Sequence, residues 1–209
     1  MGLRERAQLA QPPVSVPQET SGGRDTTPIG VAVRLGLLAG LALAIAAGLY
    51  VLGTEHAPDY STSLFGRSAA DTLPLKSWLA TGLLALAVLQ LGLALWIYGR
   101  LPGAGVAGLR TGNVHRAAGI VALLVTLPIA YHCAFAYGVK TNIDTRVAVH
   151  SVAGCFLYGA IAAKLIIVRS PRLPGWALPL AGGTLVVLVA VLWYTSALWY
   201  FNHYSLPSL

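Results

Sequence analysis

Five long apolar runs dominate the chain and alternate with short polar segments. They cover about residues 30–53, 77–98, 114–137, 147–168 and 176–199. Each run is close to the roughly 20 residues that a helix needs to cross about 30 Å of hydrocarbon. Because only a helix satisfies its backbone hydrogen bonds within one such segment, the pattern predicts an all-α fold. We expect an integral membrane bundle of five transmembrane helices over residues 29–201.

The two ends of the chain are polar. Residues 1–28 are rich in Gln, Pro, Ser, Thr and charged residues, which predicts a disordered tail. Residues 202–209 form a short tail after the last apolar run. The first run is too long for the apolar core of a signal peptide, so we interpret it as an uncleaved first span.

Composition supports the membrane assignment. Hydrophobic residues make up 56% of the chain and charged residues only 10%, whereas a soluble domain carries about 25% charged residues. The net charge of +7 would suggest a nucleic-acid partner in a soluble protein. Here the basic residues lie at the ends of the apolar runs, which is typical of membrane helices. We therefore expect the lipid bilayer as partner, and no nucleic acid.

The distribution of Lys and Arg predicts the orientation. If the N-terminus marks one side of the membrane, the opposite side holds only four of the 14 basic residues, namely Arg67, Lys76, Lys140 and Arg146. The positive-inside rule then puts the N-terminus in the cytoplasm and the C-terminus outside a plasma membrane. The segment 54–76 becomes the one sizeable outer loop.

Small residues recur along the first span. Gly36, Gly40, Ala44 and Gly48 are spaced by four residues and so share one helical face. Such a face lets another helix approach closely. The stripe predicts tight helix packing, within the chain or against a partner subunit.

Histidines are the main candidates for chemistry. With this orientation, His56, His132, His150 and His203 gather at the outer face, and only His115 lies on the cytoplasmic side. An ionisable side chain within a span is costly, so it is a functional hypothesis by default. No nucleophile motif or phosphate loop occurs, so no catalytic residue is predicted. No carboxylate lies within a span, which argues against a proton-driven transporter.

His132 and His150 form the most specific pair. They lie nine residues before and nine residues after Thr141, the centre of the loop that joins spans three and four. In a hairpin of two helices they would therefore have the same depth in the outer leaflet. Two imidazoles at one depth on neighbouring helices are what a single bis-histidine b haem requires.

Three further residues fit that hypothesis. Gly154 lies one turn from His150 on the same helical face and would leave room for a porphyrin. Arg146 and Lys140, at the outer rim, could pair with the haem propionates. Both histidines are then cofactor and metal ligands.

Other interpretations of the histidines stay open. A histidine within a span can simply hydrogen-bond to a neighbouring helix. The four outer histidines could also converge on zinc or copper, which bind imidazole, although no compact metal motif is present. Cys133 and Cys155 differ in predicted depth by about 8 Å, so we expect them to remain unpaired.

Part of this region resembles a known family. The fragments His115-Arg116-Ala117-Ala118-Gly119, His132, and Arg146-Val147-Ala148-Val149-His150-Ser151 followed by Gly154 are similar to cytochrome b561-type and ferric-reductase-like membrane domains. The resemblance covers residues 114–169 and implies b haem held by His132 and His150, with His115 as a possible additional ligand. The chain lacks a second matched histidine pair. Its overall layout is also similar to that of small multi-pass membrane proteins of high-GC, actinobacterial-type genomes.

Two classes of function follow. The first is a b-haem electron-transfer protein or respiratory subunit that exchanges electrons with quinone or an external redox partner at the outer face. The second is a non-catalytic scaffold or accessory subunit that contacts a partner through the first helix. A small-molecule permease is a further alternative.

Overall fold

The computed structural model describes residues 27–206, except for the side chains of Ala69 and Ala70. The tail predicted over residues 1–28 therefore lies almost wholly outside the described residues, as do residues 207–209 of the C-terminal tail.

Helices account for nearly all regular structure in the described residues. They are α1 (Pro28–Glu55), α2 (Ala69–Ile97), α3 (Leu109–His132), α4 (Thr145–Arg169), α5 (Ala177–Trp193) and the short α6 (Trp199–Phe201). Two π-helical segments, Cys133–Tyr137 and Tyr194–Leu198, continue α3 and α5. Five of these helices are long and apolar enough to cross a membrane, which confirms the all-α class and a multi-pass membrane protein.

Local signals explain where two of the helices start. The Thr27 hydroxyl accepts a hydrogen bond from the Gly30 amide at 3.2 Å, and Pro28 occupies the first turn, where its missing amide proton costs nothing. The Asp144 carboxylate accepts from the Val147 amide at 2.7 Å and caps α4 in the same way.

The second helix starts earlier than the apolar pattern predicts. It begins at Ala69 rather than at Ser77, because Ser68 and Asp71 form a polar helix start in which the Ser68 hydroxyl donates to the Asp71 carboxylate at 2.9 Å. An apolar run marks only the part of a helix that lies in hydrocarbon. The first turn of α2 is polar, so the run does not include it. Lys76, predicted in the outer loop, is consequently a helical residue.

The helices do not pack in chain order. Close backbone contacts run from α1 to α4, from α4 to α5, from α5 to α2 and from α2 to α3. The expectation that α3 and α4 pack as antiparallel neighbours is therefore wrong. After α3 the chain is instead held at the end of α1, where the Val139 amide donates to the Gly53 carbonyl at 2.8 Å.

The bundle centre and the α1 interface are packed differently. Leu83 and Ala87 of α2 meet Leu157 of α4 and Val189 of α5 in the apolar core. The first helix lies outside this core against α4, where Gly159 faces the backbone carbonyl of Ala42 so closely that a Cβ atom would overlap it.

Side-chain contacts define two ends of the bundle. At one end the starts of α2 and α4 meet the ends of α1, α3 and α5, and we call it the histidine end because it holds His132 and His150. At the other end the Gln90 side chain donates to the His115 carbonyl at 2.6 Å, and we call it the arginine end after Arg34, Arg100, Arg110, Arg116, Arg169 and Arg172.

Candidate functional site

The loop between α1 and α2 covers the end of α3. The Asp59 amide donates to the Phe135 carbonyl at 3.1 Å, and the rings of Tyr60 and Tyr137 meet edge to face. Hydrogen bonds from the Ser61 hydroxyl and amide lower the pKa of Asp59 below its usual value. The turn is therefore best held while Asp59 is ionised, and it loosens as the pH falls through that lowered pKa.

His132 is a buried imidazole that contacts a lysine. Only 2% of its surface is exposed, and its Nδ1 lies 3.3 Å from the Nζ of Lys76 on α2. The same ammonium lies 4.4 Å from the centre of the Tyr137 ring. Because an ammonium has donors only, Nδ1 accepts this hydrogen bond, and the imidazole carries its proton on Nε2.

The contacts of Thr195 favour the opposite tautomer for His150, with the proton on Nδ1. Nδ1 of His150 lies 2.9 Å from the Thr195 hydroxyl oxygen. The shortest contact of that hydroxyl is with the Val191 carbonyl at 2.7 Å, and we assign its single proton to this contact, which leaves the oxygen to accept from His150. His150 therefore donates from Nδ1, and its Nε2 keeps a free lone pair. This is the form in which a histidine binds a metal.

Both π-helical segments lie at this site. The first starts directly after His132, and the second contains Thr195. A π turn is rare in helices and is often found where a functional side chain has to be placed out of the normal helical register. One π-helical segment therefore directly follows His132, and the other contains the residue that contacts His150.

Arg146 fastens the start of α4 to the end of α5. Its guanidinium donates to the Thr195 carbonyl at 2.9 Å, lies 3.9 Å from the Trp199 ring centre, and pairs with Asp144 at 3.9 Å. One N–H donor and the flat face of the guanidinium are therefore already in use within the protein.

The site carries a positive charge without an opposing carboxylate. The ammonium of Lys76 contacts His132 and the Tyr137 ring. Across residues 27–206, the ion pair of Arg146 with Asp144 is the one that forms, and it does not include Lys76. Among the described residues, Lys76 is therefore a cation without a carboxylate partner.

Comparison with known proteins gives a family. The model of a family described as a family of unknown function, DUF6529, matches residues 33–208, which is most of the chain. The chain belongs to the DUF6529 family. Neither the curated proteins nor the solved structures gave a match.

A b haem in this DUF6529 protein would need the Nε2 lone pair of both histidines, and as they stand only one of the two imidazoles offers it. His150 offers Nε2 as it stands, because Thr195 holds the proton on Nδ1. His132 can offer Nε2 only when Lys76 leaves Nδ1, so that the imidazole proton can move there. His132 contacts Lys76 of α2, and His150 contacts Thr195 of the π-helical segment after α5, and that segment packs against α2.

Gly154 and Lys140 have less direct roles than predicted. A Cβ atom on Gly154 would meet only the tip of Leu192 of α5 at 4.0 Å, so the room beside Gly154 is next to α5. The Lys140 amide donates to the Ser151 hydroxyl at 3.3 Å, which joins the interhelical loop to α4. Neither of two surface cavities of about 520 and 310 Å³ is lined by His132 or His150.

The remaining histidines do not join the pair. His56 packs edge-on against Phe135, and His203 is exposed after α6. Within the described residues, no three His, Cys, Asp or Glu side chains come close enough to hold a metal ion, so the predicted convergence of four outer histidines on zinc or copper is wrong. His115 lies at the arginine end, where its Nδ1 is buried and lacks a hydrogen-bond partner among the described residues. Both cysteines are free, as expected.

Sequence reasoning missed Lys76 and Thr195. The Ser-x-x-Asp signature at Ser68 and Asp71 would have extended α2 and placed Lys76 inside the bundle. Thr195 interrupts an otherwise apolar run with a hydroxyl, but nothing in the sequence joins it to His150, which lies 45 residues earlier.

Thr195→Val is expected to release the tautomer of His150. Valine keeps the shape of threonine but cannot accept from Nδ1, so the proton will redistribute between the two ring nitrogens. The measurement is ¹⁵N NMR of the histidine-labelled protein without cofactor, with the His150 signals assigned by their loss in His150→Gln. Thr195→Ser keeps the acceptor and should keep the wild-type spectrum. Identical His150 signals in wild type and Thr195→Val would refute the role of Thr195.

Proposed function

We propose that this protein is a multi-pass membrane electron-transfer protein that binds one b haem at the histidine end, where His132 and His150 would hold the iron. The observation that carries the proposal is the 2.9 Å contact of His150 Nδ1 with the Thr195 hydroxyl, which also bonds to the Val191 carbonyl at 2.7 Å and is therefore assigned as the acceptor. A histidine that ligates iron through one nitrogen typically donates from the other to such an acceptor. The resemblance of residues 114–169 to cytochrome b561-type domains supports the same ligands.

The residues of the chain would then have distinct tasks. His132 and His150 would hold the iron, Thr195 would orient His150, and the loop over Phe135 would shield the site from water. Arg146 keeps α4 and α5 in register through the Thr195 carbonyl. When bound, the haem supplies one-electron transfer, with a potential that depends on its axial ligands and on the surrounding charge.

The partners and the location follow from the orientation. We propose that the histidine end faces the exterior of the plasma membrane, because the arginine end carries most of the basic residues. Electrons would then be exchanged with quinone in the bilayer or with a redox partner at the outer face.

The absorption spectrum of the purified protein tests this proposal. Expression with added haem should give a Soret band and about one haem per chain. A protein that remains colourless under these conditions, while it is folded and monodisperse, would contradict the proposal.

A second candidate function rests on α1. A Cβ atom on Gly36, Gly40 or Gly48 would meet nothing within 4 Å, so the small-residue stripe is not used inside the chain. The stripe faces the membrane, where another helix could approach closely. We propose an accessory-subunit role as the alternative.

Gly40→Leu tests that alternative. It should leave the thermal stability of the isolated chain unchanged, because the added side chain enters open space. The mass of the complex extracted from native membranes in mild detergent should fall to that of the chain alone. Gly92→Leu, which is also at an open position of α2, is the matched control. An unchanged mass in Gly40→Leu would exclude a partner at the stripe.

A further inference from the structure

Lys76 is a cation whose partners are both neutral. Its ammonium contacts the His132 imidazole nitrogen at 3.3 Å and the Tyr137 ring at 4.4 Å from the ring centre. The residue is half-buried, which removes part of the water that would otherwise stabilise the charge. A neutral imidazole and a ring face are weaker partners for an ammonium than a carboxylate.

The aspartates of the histidine end are engaged elsewhere. Asp59 accepts from Ser61 and Thr62, Asp71 accepts from Ser68, and Asp144 caps α4 and pairs with Arg146. Within the described residues, none of the three pairs with Lys76. The charge therefore has no counter-ion within the part of the chain that the structure describes.

The contact between Lys76 and His132 also occupies a nitrogen that a ligating histidine needs. A histidine that binds a metal through Nε2 carries its proton on Nδ1, yet here Nδ1 accepts from an ammonium. A carboxylate brought in by a ligand would draw the ammonium away from Nδ1 and free the imidazole to change tautomer. One ionic contact would thus both anchor the ligand and prepare the site.

We propose that Lys76 is the docking point for a carboxylate of the bound ligand, which under the proposed function is a haem propionate. This inference rests on the proposed function and makes it more specific. Lys76 differs in one respect from Arg146, the residue that the sequence suggested for the propionates: Arg146 pairs with Asp144, whereas Lys76 pairs with no carboxylate among the described residues.

Comparison of haem with its dimethyl ester tests Lys76 directly. The ester keeps the iron and the ring but lacks both carboxylates. We expect the wild-type protein, purified without haem, to bind the free acid more tightly than the ester, and Lys76→Met to lose about tenfold or more in affinity for the free acid alone. The ratio of the two affinities is compared between variants. The difference in hydrophobicity between the two compounds contributes equally to each ratio and cancels in this comparison. Arg67→Met removes another charge of this end, at an exposed position of the loop between α1 and α2, and should keep the wild-type ratio.

Two further measurements separate the possible failures. Lys76→Arg keeps the charge and should keep the preference, which excludes misfolding as the cause. Iron-free protoporphyrin, followed by fluorescence, should show the same dependence on Lys76 without any axial ligation. If that dependence is present but no axial ligation is seen with haem, the proposed function fails and the carboxylate site stands. If haem is ligated but Lys76→Met leaves the affinities for the free acid and the ester unchanged, the proposed role of Lys76 is refuted. If no porphyrin binds, both the proposed function and the carboxylate site at Lys76 are refuted.

Discussion

His150→Ala is expected to abolish stable haem binding. The imidazole whose Nε2 is already free is the ligand that needs no rearrangement, so its loss removes the first attachment point of the iron. Loss of a supporting residue alone typically costs about 10- to 100-fold in metal affinity, and loss of a ligand should exceed that. Haem titration of the purified variant, followed at the Soret band, is the measurement.

The matching control and the companion variant distinguish ligation from general disruption. His203→Ala changes an exposed histidine at the same end and should bind haem like the wild type. His132→Ala should bind haem weakly, with only one protein ligand, and should also lose stability because Lys76 loses its acceptor. Equal haem affinity in His150→Ala and wild type would exclude His150 as a ligand.

Gly159→Ala is expected to weaken the packing of α1 on α4. The added Cβ atom would overlap the carbonyl of Ala42, and that backbone group cannot rotate away as a flexible side chain could. The helices must separate, which should cost about 1–3 kcal/mol of unfolding free energy, as overpacking in a tight core does. Unfolding by SDS titration in mixed micelles measures this loss.

The control for Gly159→Ala is a glycine on the side of α1 that faces away from α4. Gly40→Ala adds the same atom where nothing lies within 4 Å, so its unfolding free energy should match that of the wild type. Equal stability of Gly159→Ala and Gly40→Ala would show that α1 does not approach α4 as closely as the structure has it.

The membrane-spanning character could be predicted from the sequence because it depends on local chemistry alone. A run of apolar residues long enough to cross the bilayer needs no knowledge of its neighbours, and five helices of that kind are found. His132 and His150 were assigned to one end by counting residues from the loop at Thr141, and their contacts with Lys76 and Thr195 lie at that end.

The packing order could not be predicted in this way. In lipid, helix pairs are selected by shape and by a few polar contacts rather than by an apolar stripe, so chain order is a weak guide. The stripe of Gly36, Gly40 and Gly48 illustrates this, because the close approach on α1 instead involves Gly159 of α4. Thr195 was missed for a similar reason, since its role depends on which helix lies beside α4.

Electron paramagnetic resonance of the oxidised, haem-loaded protein tests the central claim most directly. We predict a low-spin signal of about one haem per chain, because the imidazoles of both His132 and His150 would hold the iron. A high-spin signal in the wild type would mean that the two histidines do not share one iron, and a protein without any haem signal would contradict the account.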